Sequence, residues 1–147
     1  MNKFFAAALA GMCFLIGMAA QAGDSLTVSN AWARATVPGQ EVGAAYMELR
    51  SAAGATLTGM ESPASDSVEI HSMSMQGEQM QMRMLEALPL PAGKLVQLEP
   101  GGLHLMLIGL KKPLKDGETI ELTLHLKDGK GKTSKIKIEA PVRSGKN

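Results

Sequence analysis

Methionine is the residue whose distribution in this sequence is unusual. Five of the twelve residues from 73 to 84 are methionines: Met73, Met75, Met80, Met82 and Met84. Methionine often fills irregular gaps in a core, but the residues between these methionines are mostly polar, and His71 stands at the head of the segment. Thioether sulfur is a soft donor that suits Cu(I), and imidazole accepts copper in either oxidation state. The segment therefore favours metal handling over core packing.

A second pair of candidate donors lies in the segment 103–107. In a strand, residues two apart point to the same face and lie about 7 Å apart, so His104 and Met106 are neighbours. The alternate residues are leucines, at Leu103, Leu105 and Leu107, and they form the natural core face. The imidazole and the thioether are thus predicted to lie side by side on the other face, where they can reach one ion.

A hairpin is needed to bring the two segments together. The chain from 71 to 84 is predicted to turn near Gly77, so that a strand beginning at His71 is followed by a return strand. Three thioethers, Met80, Met82 and Met84, then share one face of the return strand. One of them is expected to complete a site with the two histidines and Met106, and the spacing alone does not choose among the three.

The first residues carry the pattern of an export signal. Lys3 supplies a positive charge, residues 4–20 are apolar apart from glycines, and the tripeptide ending at Ala22 has the small-x-small pattern of a cleavage site. About 17 apolar residues are too few for an ordinary membrane span. Cys13 follows a methionine, where a lipoprotein signal needs a small residue. We therefore expect a cleavable signal peptide at 1–22, a periplasmic location and no membrane span after cleavage.

The remaining residues, 23–147, are predicted to form a single domain. Loss of Lys3 leaves 14 basic and 14 acidic side chains, from 15 and 14 in the whole chain. Because there is no basic run and no aromatic platform, nucleic acid is not expected as a partner. A chain of this size buries enough surface to need no disulfide. Trp32 and Tyr46 are the only aromatic residues after cleavage, and we expect both to pack in the core.

Strand patterns recur along this domain and helix patterns do not. Apolar residues alternate strictly through 120–126 and 135–139, with His125 expected to be solvated on the outer face. The turn after the first of these is predicted at Asp128-Gly129, with Gly129 supplying a positive φ. The predicted strands, some of which are expected to merge, lie near 25–28, 32–36, 43–50, 55–61, 67–71, 80–85, 95–98, 103–108, 118–126 and 133–140. Short strands with frequent turns predict an all-β sandwich.

Other chemistries fit the sequence less well. Zinc sites favour Cys, His or carboxylate ligands, and calcium sites need several oxygens. An electron-transfer cupredoxin needs a cysteine thiolate, and Cys13, the only cysteine, lies in the predicted signal peptide. No catalytic triad order, phosphate-binding glycine loop or close carboxylate pair is found, so an enzyme is not predicted. Glu69 is expected to be a solvated charge, with orientation of His71 as the alternative.

The spacing of the candidate ligands resembles that of a known family. His71 is followed after ten residues by Met82, after twenty-one more by His104, and after one more by Met106. This pattern is similar to the ligand signature of the PCuAC family of periplasmic copper chaperones. The surrounding sequence also resembles the family, in MQMR at 80–83, PAG at 91–93, PGGLHLML at 100–107 and KPLKDG at 112–117. The similarity extends from about residue 26 to residue 143.

The resemblance implies a cupredoxin-like Greek-key β-sandwich that holds one Cu(I) through four ligands: His71, Met82, His104 and Met106. It also implies delivery of copper to an accepting protein, such as an oxidase subunit or another assembly factor, during cytochrome c oxidase assembly. The additional thioethers keep a copper-resistance or copper-storage protein open as the alternative. They also leave Met80 and Met84 as possible replacements for Met82.

Overall fold

A computed structural model describes residues 26–145 of the chain. The predicted signal peptide at 1–22 and its cleavage site lie outside the described residues. Within 26–145 the regular secondary structure consists of strands, and no helix is present. Accordingly, this part of the chain has no helix long and apolar enough to cross a membrane.

Ten strands form the domain, and the predicted all-β class is confirmed. They are β1 (Leu26–Arg34), β2 (Val42–Ser51), β3 (Ala55–Glu61), β4 (Ser65–Gln76), β5 (Gln79–Leu85), β6 (Leu88–Leu90), β7 (Leu95–Leu98), β8 (His104–Leu110), β9 (Thr119–Asp128) and β10 (Thr133–Arg143). The two strands predicted near 25–28 and 32–36 are one strand, β1, with a bulge between Ser29 and Trp32. Strand β6 was not predicted, because it has only three residues and contains a proline.

The strands pair into one sheet that closes on itself. Their order is β5-β4-β8-β2-β1-β10-β9-β3-β6, and β7 pairs with the second half of β2. Met60 of β3 also pairs with Val68 of β4, and this contact closes the sheet into a barrel-like shape. All neighbours are antiparallel except β1 and β10, which are parallel. The two-sheet Greek-key arrangement remains a prediction.

The interior of the closed sheet is filled almost entirely by aliphatic side chains and two methionines. The predicted core face of β8 is confirmed, because Leu105 and Leu107 are fully buried and Leu103 packs against the same cluster. Strand β2 contributes Ala45 and Met47 to this interior in alternate positions. The residues that alternate with these on β2 and β8 therefore point to the outer face of the sheet.

Tyr46 is buried, as predicted, but neither Tyr46 nor Trp32 belongs to the aliphatic cluster of the interior. They are paired residues of β1 and β2, and Tyr46 alternates with the inward-facing Ala45 and Met47, so its ring lies on the outer face. The two rings contact each other with centroids 4.7 Å apart. Arg34 also lies over the Tyr46 ring, 5.6 Å from its centroid. This stacking buries Tyr46 without placing it among the aliphatic residues.

The turn between β9 and β10 lies where it was predicted, with a different glycine in the left-handed region. Gly131, not Gly129, has the positive φ, of 82°. The Asp128 carboxylate accepts hydrogen bonds from the backbone N–H groups of Lys132 and Lys130, at 2.8 and 2.9 Å. These bonds, chiefly the one from Lys132, hold the pKa of Asp128 below its usual value. The side chain thus shapes a loop in which the glycine with positive φ lies two residues later than the sequence suggested.

Candidate metal centre

The two histidines predicted as ligands lie opposite each other on neighbouring strands. β4 and β8 run antiparallel, and their register pairs His71 with His104. Directly paired residues point to the same face of a sheet, and the ring centroids are 5.8 Å apart with an angle of 31° between the planes. The sheet thus brings together two imidazoles that are 33 residues apart in the sequence.

His104 is held in one tautomer by a backbone contact. Its Nδ1–H donates a hydrogen bond of 3.0 Å to the carbonyl oxygen of Gly102. The Nε2 atom therefore keeps its lone pair, since a neutral imidazole carries one proton. Although His104 is on the outer face, it is only 7% exposed, because the cleft around it includes Pro100 and Gly101. A buried ring with a fixed lone pair is well suited to bind a metal ion.

His71 is held in the opposite tautomer by a carboxylate. Its Nε2–H donates a hydrogen bond of 2.8 Å to Oε2 of Glu69, two residues earlier on the same face of β4. The expectation that Glu69 is a simple solvated charge is therefore wrong, and the alternative of an orienting partner is the one observed. The Nδ1 atom of His71 is buried and has no hydrogen-bond partner in the protein. Its lone pair is available to a metal ion.

Met106 lies on the same face as the histidines, two residues further along β8. Its neighbours across the strands are Glu69 on β4 and Ala44 on β2. It is half-buried and lines a cleft of about 300 Å³ together with His104. Other side chains of this cleft include Met73, a member of the predicted methionine cluster, and Tyr46, which was expected in the core. A thioether and an imidazole therefore face one cleft at the outer surface of the sheet.

The predicted hairpin is formed by β4 and β5, and its register decides which methionines are near His71. The turn has two residues, with Gly77 at φ 63° in the first position, which is typical of a type II′ turn. The register pairs His71 with Met84 and Met73 with Met82. Met84 is thus the direct neighbour of His71, and Met82 is its diagonal neighbour. Diagonal pairs are about 7–8 Å apart, which long side chains can span.

Of the four predicted ligands, three lie together on β4 and β8, and Met82 lies on the same face two residue pairs closer to the hairpin tip. In the range 26–145, no group of three or more His, Cys, Asp or Glu side chains is arranged to hold a metal ion. The third histidine, His125, lies elsewhere, with its Nε2 3.5 Å from Glu61. It is two-thirds buried, although we expected a solvated side chain.

Comparison with known proteins places the chain in a family. The sequence profile of the family described as "Putative lipoprotein LpqE-like" matches residues 26–142. A relative from Leifsonia xyli subsp. xyli (strain CTCB07), described as "Putative lipoprotein Lxx21020", is 33% identical over 127 residues, which cover 84% of this chain and 74% of the relative. The chain belongs to the LpqE-like family.

Solved structures relate this LpqE-like protein to copper-binding domains. The copper-bound PCuAC domain from PmoF2 is 25% identical with a TM-score of 0.68, and the match covers 82% of this chain and 94% of that domain. The Cu(I) form of DR1885 from Deinococcus radiodurans is 35% identical with a TM-score of 0.60, over 86% and 83% of the two chains. Its apo form is 31% identical with a TM-score of 0.61, over 99% and 95%. The resemblance to the PCuAC family is confirmed.

Proposed function

We propose that this protein is a periplasmic copper chaperone, which binds one Cu(I) and passes it to an accepting protein. The observation that carries the proposal is the facing pair of His71 and His104. Each ring donates its N–H to a neighbouring oxygen. The other ring nitrogen, Nδ1 of His71 or Nε2 of His104, therefore keeps a lone pair that can bind a metal ion. Two imidazole nitrogens beside thioether sulfur form a ligand set that suits Cu(I). The copper-bound relatives support this choice of metal.

The four ligands are His71, Met82, His104 and Met106. Both histidines and Met106 share one face of β4 and β8. The choice of Met82 for the fourth position rests on the ligand spacing of the PCuAC family, whereas the register favours Met84 as the neighbour of His71. Both thioethers are more than half exposed and have three rotatable bonds, so either side chain can swing toward the histidines.

The arrangement suits a carrier rather than a catalyst. His104 and Met106 line a cleft at the surface and the methionines of β5 are exposed, so an acceptor can replace the ligands one at a time. No residue of the site is positioned to activate a substrate, and we propose no enzyme activity. The accepting protein is an oxidase subunit or another assembly factor in cytochrome c oxidase assembly, as the PCuAC resemblance implies.

Storage or resistance is the second candidate function. The exposed thioethers Met75 and Met80 lie beyond the four proposed ligands, and a storage protein would use additional sulfur donors to hold excess copper. Deletion of the gene distinguishes the two functions. Loss of oxidase activity at low copper supports delivery, and sensitivity to high copper with normal oxidase activity supports storage.

Export and the detailed fold complete the proposal. A signal peptide at 1–22 is cleaved after Ala22, and residues 23–147 form a cupredoxin-like Greek-key sandwich. The lipoprotein descriptions of the family and of its relative support export of the chain. Copper carried in this compartment is better held by methionine than by cysteine, because thiols there oxidise to disulfides.

Anaerobic titration with Cu(I) tests the proposed function. We expect one tightly bound Cu(I), no intense blue absorption, and an X-ray absorption spectrum with both nitrogen and sulfur neighbours. A spectrum with only nitrogen and oxygen neighbours would contradict the proposed ligand set. A protein that binds no Cu(I) in competition with a chromophoric chelator would contradict the function itself.

A further inference from the structure

A row of thioethers continues from the histidine pair to the tip of the β4–β5 hairpin. Pairing of β4 with β8 ends at His71 and His104, whereas pairing of β4 with β5 continues to Gln76 and Gln79. The hairpin thus extends beyond the strand that carries His104. One face of this extension has two facing methionine pairs, which we call the methionine ladder: Met73 with Met82, and Met75 with Met80.

Packing does not account for the three exposed methionines of the ladder, Met75, Met80 and Met82. Of the seven large hydrophobic side chains exposed in residues 26–145, four lie on this face of the hairpin: Met75, Met80, Met82 and Met84. Each is between 53% and 60% exposed, so none is sheltered by a core. β-Branched and aromatic residues would stabilise an exposed strand pair better than methionine does. Because shape and strand propensity would favour other residues, the property that explains methionine at these positions is its sulfur atom.

The pairs are close enough for a shared ion. Directly opposed side chains have Cβ atoms about 5 Å apart, and the next pair along the strands lies about 7 Å away. Met75 faces Met80 directly, and Met73 is the next residue on the same face of β4. Three flexible thioethers can therefore converge on one point above the hairpin. Such an all-sulfur, uncharged set favours a soft monovalent ion over zinc or calcium.

We propose that Met73, Met75 and Met80 form a second Cu(I) site, the outer site, which loads the histidine site. The ion stays Cu(I) throughout, and each step exchanges one thioether for another donor without electron transfer. Met73 lines the same cleft as His104 and Met106, so it connects the tip of the hairpin with the inner ligands. The loading role rests on the proposed function of the inner site, whereas the existence of the outer site does not.

The outer site is predicted to be weaker than the inner one. Its donors are exposed and flexible, and ordering three long side chains costs conformational entropy. The imidazole of His104 is instead buried and that of His71 is only 13% exposed, and both are held by hydrogen bonds, to Gly102 and Glu69 respectively. An ion that binds first at the exposed outer site is therefore driven toward the preorganised inner site.

Two double variants of the purified protein separate the sites. Met75→Leu/Met80→Leu removes two outer thioethers and keeps the apolar volume, and it changes no proposed inner ligand. His71→Ala/His104→Ala removes the inner imidazoles and leaves the ladder unchanged. Both are titrated anaerobically with Cu(I) in competition with a chromophoric chelator. In parallel, the methionine methyl groups are followed by NMR after ¹³C labelling, and the buried Met47 and Met60 report that the fold is intact.

We expect the wild-type protein to bind one tight and one weaker Cu(I). The histidine variant should keep the weaker ion and shift the methyl signals of Met75 and Met80, and the methionine variant should keep only the tight ion. Stopped-flow mixing should also show several-fold slower loading of the inner site in the methionine variant. If Met47 and Met60 show that this variant is misfolded, Met75→Ile/Met80→Ile replaces it.

Three results would overturn the outer site. A wild-type protein that binds one Cu(I), lost in the histidine variant, contradicts the outer site and leaves the proposed function intact. A methionine variant that keeps the weaker ion and loads at the wild-type rate means that the ladder acts only as an apolar surface. Loss of the tight ion in the methionine variant would contradict both the outer site and the inner ligand assignment.

Discussion

His71 and His104 face each other across β4 and β8, and their free nitrogens are different atoms of the ring. Glu69 accepts the Nε2 proton of His71, whereas the carbonyl of Gly102 accepts the Nδ1 proton of His104. Both rings are held in position by neighbours two residues away on their own segment. The pair is thus oriented before any ion arrives, and this preorganisation favours tight binding.

Loss of a residue that hydrogen-bonds to a metal ligand typically weakens metal affinity by roughly 10–100-fold. Removal of either imidazole should weaken Cu(I) binding by more than this. We expect this for His71→Ala and for His104→Ala, measured by competition titration. His104→Ala should also lower the stability of the apo protein by about 1 kcal/mol, because the bond to Gly102 is lost. The matched control is His125→Ala, which removes a histidine outside the site. An equal loss of affinity in the control would point to a general effect on the fold.

Substitution of the methionines tests the fourth ligand. Met106→Leu and Met82→Leu should each weaken Cu(I) binding strongly, because leucine preserves the volume but offers no sulfur. Met84→Leu should have a smaller effect if the PCuAC spacing identifies the ligand. If Met84→Leu has the larger effect, the direct neighbour of His71 is the ligand instead. If the triple variant Met80/Met82/Met84→Leu binds Cu(I) normally, β5 supplies no ligand.

Glu69 should contribute to affinity by orienting His71. Glu69→Ala removes the acceptor of the Nε2 proton and should weaken Cu(I) binding by roughly 10–100-fold. Glu69→Gln keeps an oxygen that can accept the same proton, so its effect should be smaller. Glu61→Gln is the matched control, since Glu61 approaches His125 instead. Wild-type affinity in Glu69→Ala would mean that packing alone orients the ring.

The apo protein should fold without copper. The aliphatic interior is closed by strand pairing between β3 and β4, and no buried residue of that interior is a proposed ligand. We expect one cooperative unfolding transition by circular dichroism in the absence of metal. Cu(I) present at a thousandfold excess over its dissociation constant should add about 4 kcal/mol to the free energy of unfolding. An apo protein that melts without cooperativity would contradict this prediction.

The strand alternation made much of the site predictable. The leucines of β8 alternate with His104 and Met106, so the face of each residue followed from the core it had to cover. The pairing of His71 with His104 did not follow, because it depends on the register of two strands that are not consecutive in the chain. The pairing of His71 with Met84 could have been predicted from a two-residue turn at Gly77, since the hairpin register then follows residue by residue.

Side-chain contacts on the outer face, both the ring stacking and the hydrogen bond of Glu69, were the hardest to predict. Composition suggested that Trp32 and Tyr46 belong to the core, but the pattern of β2 already assigned Ala45 and Met47 to that side. Glu69 was expected to be solvated, because alternation shows only that it shares a face with His71. Whether two such neighbours form a hydrogen bond depends on rotamers, and the sequence does not encode these in its spacing.

The contact between Trp32 and Tyr46 has a practical consequence. Trp32 is the only tryptophan of the chain, and Tyr46, on which it stacks, lines the cleft with His104 and Met106. The intrinsic fluorescence of the protein therefore originates on the outer face of the sheet, which carries the proposed ligands, and not in its aliphatic interior. Denaturation followed by tryptophan emission reports the unfolding of the face that carries the proposed ligands. A difference between that curve and one from circular dichroism would reveal local opening of this face before the sheet as a whole unfolds.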